Sequence, residues 1–106
     1  MASTSELKAA IRDAEPVIRK KFEAMIPLSG WPSDVRDKLT LDVTPESIAV
    51  VWPAELEKKV GDLEYGTVGK TPTHFISKVE EMIQVEIQSA LLNITLEILF
   101  SRGLPV

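Results

Sequence analysis

The first quarter of the chain carries apolar residues at spacings of three and four. They are Leu7, Ile11, Ala14, Ile18, Phe22 and Met25, and they form one stripe of an amphipathic helix. A hydroxyl residue among positions 3–5 can cap this helix, and Glu6 lies in the first turn, where the helix dipole favours a negative charge. Pro16 predicts either a kink or a division into two helices. Since the stripe continues beyond Pro16, we expect a kink, and we expect the helix to end at Pro27.

The apolar period changes after a loop at residues 27–34, which is rich in proline, serine and glycine. Residues 38–44 alternate between apolar and polar, as in a half-buried strand. Residues 48–53 are rich in β-branched residues and predict a second strand. Because only a short turn separates the two strands, an antiparallel hairpin is the expected pairing. We expect Trp52 in the core, whereas Trp31, in the loop, either closes the core or lies at an interface.

The middle of the chain has weaker signals. Residues 54–62 are charged and predict a helical turn or a loop, and residues 63–65 are candidates for a third short strand. A loop follows from Gly66 to Thr71. Thr71 can cap a helix whose first position is Pro72, a favoured place for proline.

The last segment has the longest helical stripe of the sequence. It comprises Phe75, Val79, Met82, Ile83, Ile87, Ala90, Leu91, Ile94 and Ile98. A second apolar row consists of Val85, Leu92, Leu96, Leu99 and Phe100. A helix that is apolar over most of its girth should be buried on more than one side. Residues 93–100 also alternate with a period of two, which leaves a strand open, but we favour a helix that stops near Gly103.

These elements predict an α+β fold in a single domain over residues 1–106. It has an N-terminal helix, an antiparallel β-hairpin or small three-stranded sheet, and a long C-terminal helix. A domain of 106 residues buries only a thin core.

Composition excludes several classes of protein. The formal net charge of −4 argues against nucleic-acid binding, which needs a basic surface, and the lack of cysteine excludes disulfides and thiolate metal sites. The polar start does not resemble a signal peptide, and no uninterrupted apolar run approaches the roughly 18 residues of a membrane span. We therefore expect a soluble protein that binds neither a membrane nor a specific nucleic acid.

The candidate chemical motifs are weak. Gly69-Lys70-Thr71 resembles the end of a phosphate-binding loop, but that motif needs a glycine at position 64, where the chain has Glu64. A single histidine, His74, has no carboxylate cluster spaced around it for a metal. We therefore expect no catalytic, cofactor-binding or metal-binding residues, and no enzymatic activity.

One stretch resembles a known family. Glu64-Tyr65-Gly66-Thr67, followed by Pro72, Phe75 and a long final helix, resembles the signature of small neck and tail-completion proteins of tailed bacteriophages, often described as tail components. In that family a proline usually stands directly before the aromatic, whereas here Thr73 and His74 intervene. The Thr-Gly-x-Leu-Arg segment typical of the family is poorly matched by residues 29–36.

The resemblance implies a structural subunit that assembles into a ring at the head–tail junction of the virion, after synthesis in the bacterial cytoplasm. Its implied partners are copies of itself and neighbouring neck, portal-side or tail-tube proteins. The predicted interface residues are Glu64, Tyr65, Gly66, Thr67, Lys70, Val85, Leu92, Leu96, Leu99 and Phe100. The alternative is a small soluble adaptor or regulatory module that dimerises through its final helix.

Overall fold

Two long helices and one β-hairpin make up most of the described chain. The computed structural model describes residues 4–101, and the side chains of residues 5–99. The helices are α1 (Thr4–Met25), α2 (Ser33–Arg36), α3 (Glu57–Tyr65) and α4 (Phe75–Ser101), and the strands are β1 (Thr40–Thr44) and β2 (Ser47–Val51). Single 3₁₀ turns lie at Ile26–Leu28 and Ala54–Leu56. The predicted α+β architecture is confirmed.

Helices α1 and α4 lie side by side in antiparallel directions. Lys21 near the end of α1 forms an ion pair with Glu86, and Val17, further back, lines a groove together with Asn93. Helix α1 passes through Pro16 without a break, so the chain is not divided there. The paired helices make the molecule 59 × 23 × 23 Å, with a radius of gyration of 17.1 Å. A compact chain of this length would have a radius of about 13 Å.

The hairpin covers one side of the helix pair. Leu41 lies opposite Val50, and Val43 opposite Ile48, which places these four apolar side chains on one face of the sheet. Ile48 and Val50 are buried beneath that face. The sheet has two strands within residues 4–101, and the possible third strand at residues 63–65 is wrong, because these residues form the last turn of α3.

The core lies where the hairpin, α1, α3 and the first half of α4 meet. Its buried members include Ile18, Phe22, Val35, Leu39, Ile48, Val60, Phe75, Val79 and Ile83. Trp31 is 2 % exposed and packs edge-to-face on Phe75 with ring centroids 5.5 Å apart, so it closes the core. Trp52, expected inside, is only half-buried at the edge, where its indole N–H donates to the Glu57 carboxylate at 2.7 Å.

The two ends of α4 differ in how well the sequence predicted them. The helix begins at Phe75, and the predicted start at Pro72 with Thr71 as its cap is wrong. At the other end the helix continues through Ser101, so residues 93–100 are helical and not a strand. Gly103 lies outside the described residues.

Candidate interaction surface and the turn that supports it

The side chain of Glu64 caps the N-terminus of α4. Its side chain is 3 % exposed, and its carboxylate accepts hydrogen bonds from the Ile76 N–H at 2.7 Å, the Ser77 N–H at 3.1 Å and the Ser77 hydroxyl at 2.6 Å. The first N–H groups of a helix have no partner within the helix, and the helix dipole is positive at that end. A carboxylate at the end of α3 therefore caps α4 and joins the two helices.

The backbone between the helices completes this junction. The N–H groups of Thr73 and His74 donate to the carbonyls of Leu63 and Glu64 at 3.1 and 3.0 Å, so the last turn of α3 is also satisfied. His74 has a φ of 51°, and its carbonyl accepts the first bond of α4, from Lys78. The connecting segment is thus paired to α3 and does not belong to α4.

Two hydrogen bonds fix the side chain of Thr73. Its hydroxyl donates to the Leu63 carbonyl at 2.6 Å and accepts from the Trp31 indole N–H at 2.8 Å. Trp31 therefore satisfies its polar atom inside the core, as a buried indole must. Because Thr73 is held in this way, the helix start is displaced from the sequence signal at Thr71 and Pro72 to Phe75.

Gly66, where the sequence predicts the start of a loop, has a positive φ. It follows α3, not a strand, and its N–H donates to the Asp62 carbonyl at 2.9 Å. Its φ of 82° and ψ of 169° lie in a region that only glycine occupies readily. A Cβ at this position would lie 2.8 Å from the Lys70 carbonyl oxygen and 2.9 Å from the Pro72 ring. Only glycine fits this turn.

The residues after Gly66 form a narrow exposed loop. Thr67 and Lys70 exchange two backbone hydrogen bonds, of 3.3 and 3.0 Å, and Gly69 has a φ of 85° between them. Val68 stands at the tip and is fully exposed. Val68 is not among the predicted interface residues, although an apolar residue next to a turn glycine was a readable signal.

The predicted interface residues near this loop divide into two groups. Tyr65, Thr67 and Lys70 are exposed, with Tyr65 72 % exposed and its ring 6.5 Å from that of His74. Glu64, in contrast, is buried within its own chain, and Gly66 is half-buried and shapes the turn. Tyr65, at the end of α3, and Val68, in the loop, are exposed, while Glu64 and Gly66 hold the loop in place.

The loop does not have the geometry of a phosphate-binding loop. In such a loop the Gly-Lys-Ser/Thr segment opens the helix directly. Here Thr71 and Pro72 lie before the start of α4, and the N–H groups of Ile76 and Ser77 already donate to Glu64. The N-terminus of α4, where a phosphate would bind, is therefore already occupied by the Glu64 carboxylate.

The second apolar row of α4 faces away from the core. Val85 is 54 % exposed, Leu92 59 %, and Leu96 and Leu99 are each 41 % exposed. At about 100° per residue, these four side chains lie within roughly 60° of one another around the helix axis. We call them the outer row. Phe100 was also predicted for this row, but its side chain lies outside the described residues.

The outer row and the loop lie apart on the molecule. Val85 is ten residues from the start of α4 at Phe75, which is about 15 Å along the axis. The predicted interface residues therefore form two surfaces, one at each half of the helix, and not a single patch.

Helix α4 also meets a simple criterion for a membrane span. By length and composition, Phe75–Leu99 is long and apolar enough to cross a bilayer. Core helices of soluble proteins meet the same criterion, so it is weak evidence by itself. The first half of α4 packs in the core of this chain, with Val79 fully buried and Ile83 4 % exposed.

Compared with models of protein families, with curated proteins and with solved structures, the chain has no significant match in any of the three.

Proposed function

We propose that this chain is a structural subunit of the neck of a tailed bacteriophage, where it acts by assembly into a head-to-tail connector or tail-completion ring. The observation that carries the proposal is the outer row of α4. Leaving several large apolar side chains in water along one face of a helix costs hydrophobic free energy, about 25 cal/mol per Å² of apolar surface. An exposed row of this kind is typical of a protein–protein contact.

The loop supports an assembly role independently of the row. Glu64 and Gly66 shape the turn, and Tyr65, at the end of α3, and Val68, at the loop tip, are exposed on either side of it. A rigidly held loop with apolar tips loses little conformational entropy when a neighbour binds it. We propose a phage neck as the assembly because residues 64–67 resemble the signature of phage neck proteins.

A second candidate function is a small soluble adaptor that dimerises through α4. The same outer row favours it, because one helix face is enough to form a dimer. Light scattering coupled to size-exclusion chromatography separates the two. A ring, or a single chain that assembles only on phage neck components, supports the neck subunit, whereas a stable dimer that never joins a virion supports the adaptor.

Deletion of the coding sequence from the phage or prophage that carries it tests the proposed function. We expect filled heads and separate tails that do not join, and restoration of complete virions when the purified protein is added back. Normal virions after deletion, or a coding sequence that belongs to no phage or prophage, would contradict the proposal.

A further inference from the structure

The β-hairpin leaves the outer edge of β2 without a partner strand. Because the hairpin has a tight turn with Thr44 opposite Ser47, the backbone N–H and C=O groups of Ser47 and Ala49 point toward β1. Those of Ile48 and Val50 therefore point outward. Among the described residues, no hydrogen bond reaches these outward groups. An edge of this kind can pair with a further strand.

Strand β2 has none of the features that usually protect an edge from pairing. Its residues Ser47–Val51 include no charge, no proline and no glycine, and they pair with β1 without a bulge. The other edge of the hairpin differs, because β1 carries Asp42 at its centre and a charged side chain on an edge strand opposes pairing. Of the two edges, that of β2 is the better suited to accept a strand.

A groove lies between the open edge of β2 and α4. Its volume is about 620 Å³. The buried Ile48 and Ile83 and the half-buried Ile87 form the apolar part of its wall. A strand that pairs with β2 lies about 4.8 Å from it, and it therefore enters this groove. Its side chains on the α4 side then cover apolar surface.

The charges of the groove define the segment that fits it. Glu46, at the hairpin turn, and Glu80 and Glu81, on α4, are exposed residues of its wall. None of the three forms an ion pair within the described chain, and no basic residue is among the described residues of the wall. Arginine and lysine suit this lining, because their alkyl stems cover apolar surface while their charged ends reach carboxylates.

We propose that the edge of β2 binds an extended, basic segment of a partner protein, which joins the hairpin as a third strand. Backbone hydrogen bonds to Ile48 and Val50 hold the segment, and alternate side chains of the segment face the carboxylates of the groove. A second copy of the chain fits poorly, because its β2 brings a second set of the same carboxylates and its β1 carries Asp42. The inference does not rest on the neck role, and it concerns a surface other than the loop and the outer row.

Amide hydrogen exchange measured by NMR tests this inference, because it reports on the backbone groups of β2 one by one. The probe is a peptide as long as β2, with blocked ends, in which arginine and threonine alternate. In the free protein, the Ile48 and Val50 amides should exchange faster than those of Ala49 and Val51, which face β1. The peptide should slow exchange at Ile48 and Val50 several-fold, and more than at Ala49.

Two matched controls separate strand pairing from a general attraction between opposite charges. The same peptide methylated on its backbone nitrogens keeps every charge but lacks the N–H donors, so it should protect neither amide. On the protein, the double variant Glu80→Gln and Glu81→Gln should weaken peptide binding several-fold. The double variant Glu55→Gln and Glu97→Gln removes the same charge at exposed positions outside the groove and should not.

Several results would overturn the inference. No binding of the arginine peptide, or equal binding of its methylated form, would show that the edge does not accept a strand. Equal protection by a peptide with glutamate in place of arginine would show that the carboxylates do not select the partner. Protection of Ile48 and Val50 in the protein alone that rises with its concentration would show that a second copy occupies the edge. None of these results bears on the neck role, which gene deletion decides.

Discussion

The two halves of α4 have similar apolar content but different surroundings. In the first half, Phe75, Ile76, Val79 and Ile83 are at most 6 % exposed, because the hairpin, α1 and α3 cover them. In the second half, Leu92, Leu96 and Leu99 are 41–59 % exposed although α1 still runs alongside. The amount of apolar surface is set by the sequence pattern, but only the fold determines which part of it the chain covers by itself.

The two halves also differ in polar pairing. Around the first half, the Glu64 carboxylate closes the helix start, and no buried side-chain polar atom of the described residues lacks a partner. In the second half, the Thr95 hydroxyl donates to the Leu91 carbonyl at 3.0 Å, within the helix itself. The first half of α4 is therefore covered within one chain, whereas the second half leaves an apolar row exposed.

Among substitutions around the first half of α4, replacing Glu64 should lower the free energy of unfolding the most. Glu64→Leu leaves the Ile76 and Ser77 N–H groups without their charged acceptor, and a hydrogen bond to a charged group contributes about 1.5–3 kcal/mol. We expect the free energy of unfolding to fall by about 3 kcal/mol in urea denaturation. Glu80→Leu is the matched control, since Glu80 is an exposed carboxylate on the same helix. Equal stability of the two variants would show that the cap contributes nothing.

Replacing Gly66 should have the next largest effect. Gly66→Ala adds a Cβ that overlaps the Lys70 carbonyl and the Pro72 ring, in a backbone conformation that costs about 1–3 kcal/mol for other residues. Gly69→Ala is a close control, because Gly69 has a similar φ of 85° but no atom within 4 Å of the added Cβ. We expect Gly66→Ala to be clearly the less stable in thermal unfolding.

The larger substitution Gly66→Val extends this test to assembly. We expect the chain to fold, because the core lies in the helices and the hairpin, but the loop to be misplaced and the protein to fail to join its neighbours. A Gly66→Val protein that assembles like the parent would show that the loop is only a connector.

Thr73→Val should have a smaller effect. It removes the acceptor of the Trp31 indole N–H, and an unpaired buried donor costs about 1–3 kcal/mol. We expect a loss near the lower limit, since a small rearrangement of the loop can admit water. Thr71→Val is the control at an exposed position two residues earlier. A Thr73→Val protein as stable as this control would show that the Trp31–Thr73 bond is not needed.

The long elements were predictable because their patterns are local. The apolar stripes of α1 and α4 and the alternation in β1 can be read from neighbouring residues. The end of α3 could not be predicted from the sequence, because residues 63–65 are too few to show a period. The burial of Glu64 was also hidden, because its acceptor role depends on N–H groups twelve and thirteen residues away. The second apolar row of α4 was readable from the spacing of its residues, whereas its exposure in the single chain depends on where the hairpin and α1 pack.

The central claim is that the outer row of α4 is a protein–protein contact and not part of the fold of one chain. Leu92→Glu tests it directly, because leucine and glutamate have similar helix propensities and the helix should persist. The matched control is Gln88→Glu, which adds the same charge one turn earlier and beside the row. The measurement is the molar mass by light scattering over a range of protein concentrations. The account predicts association of the unmodified and Gln88→Glu proteins and the mass of one chain for Leu92→Glu, with equal helix content in all three. Association of Leu92→Glu to the same mass as the associated unmodified protein would contradict it.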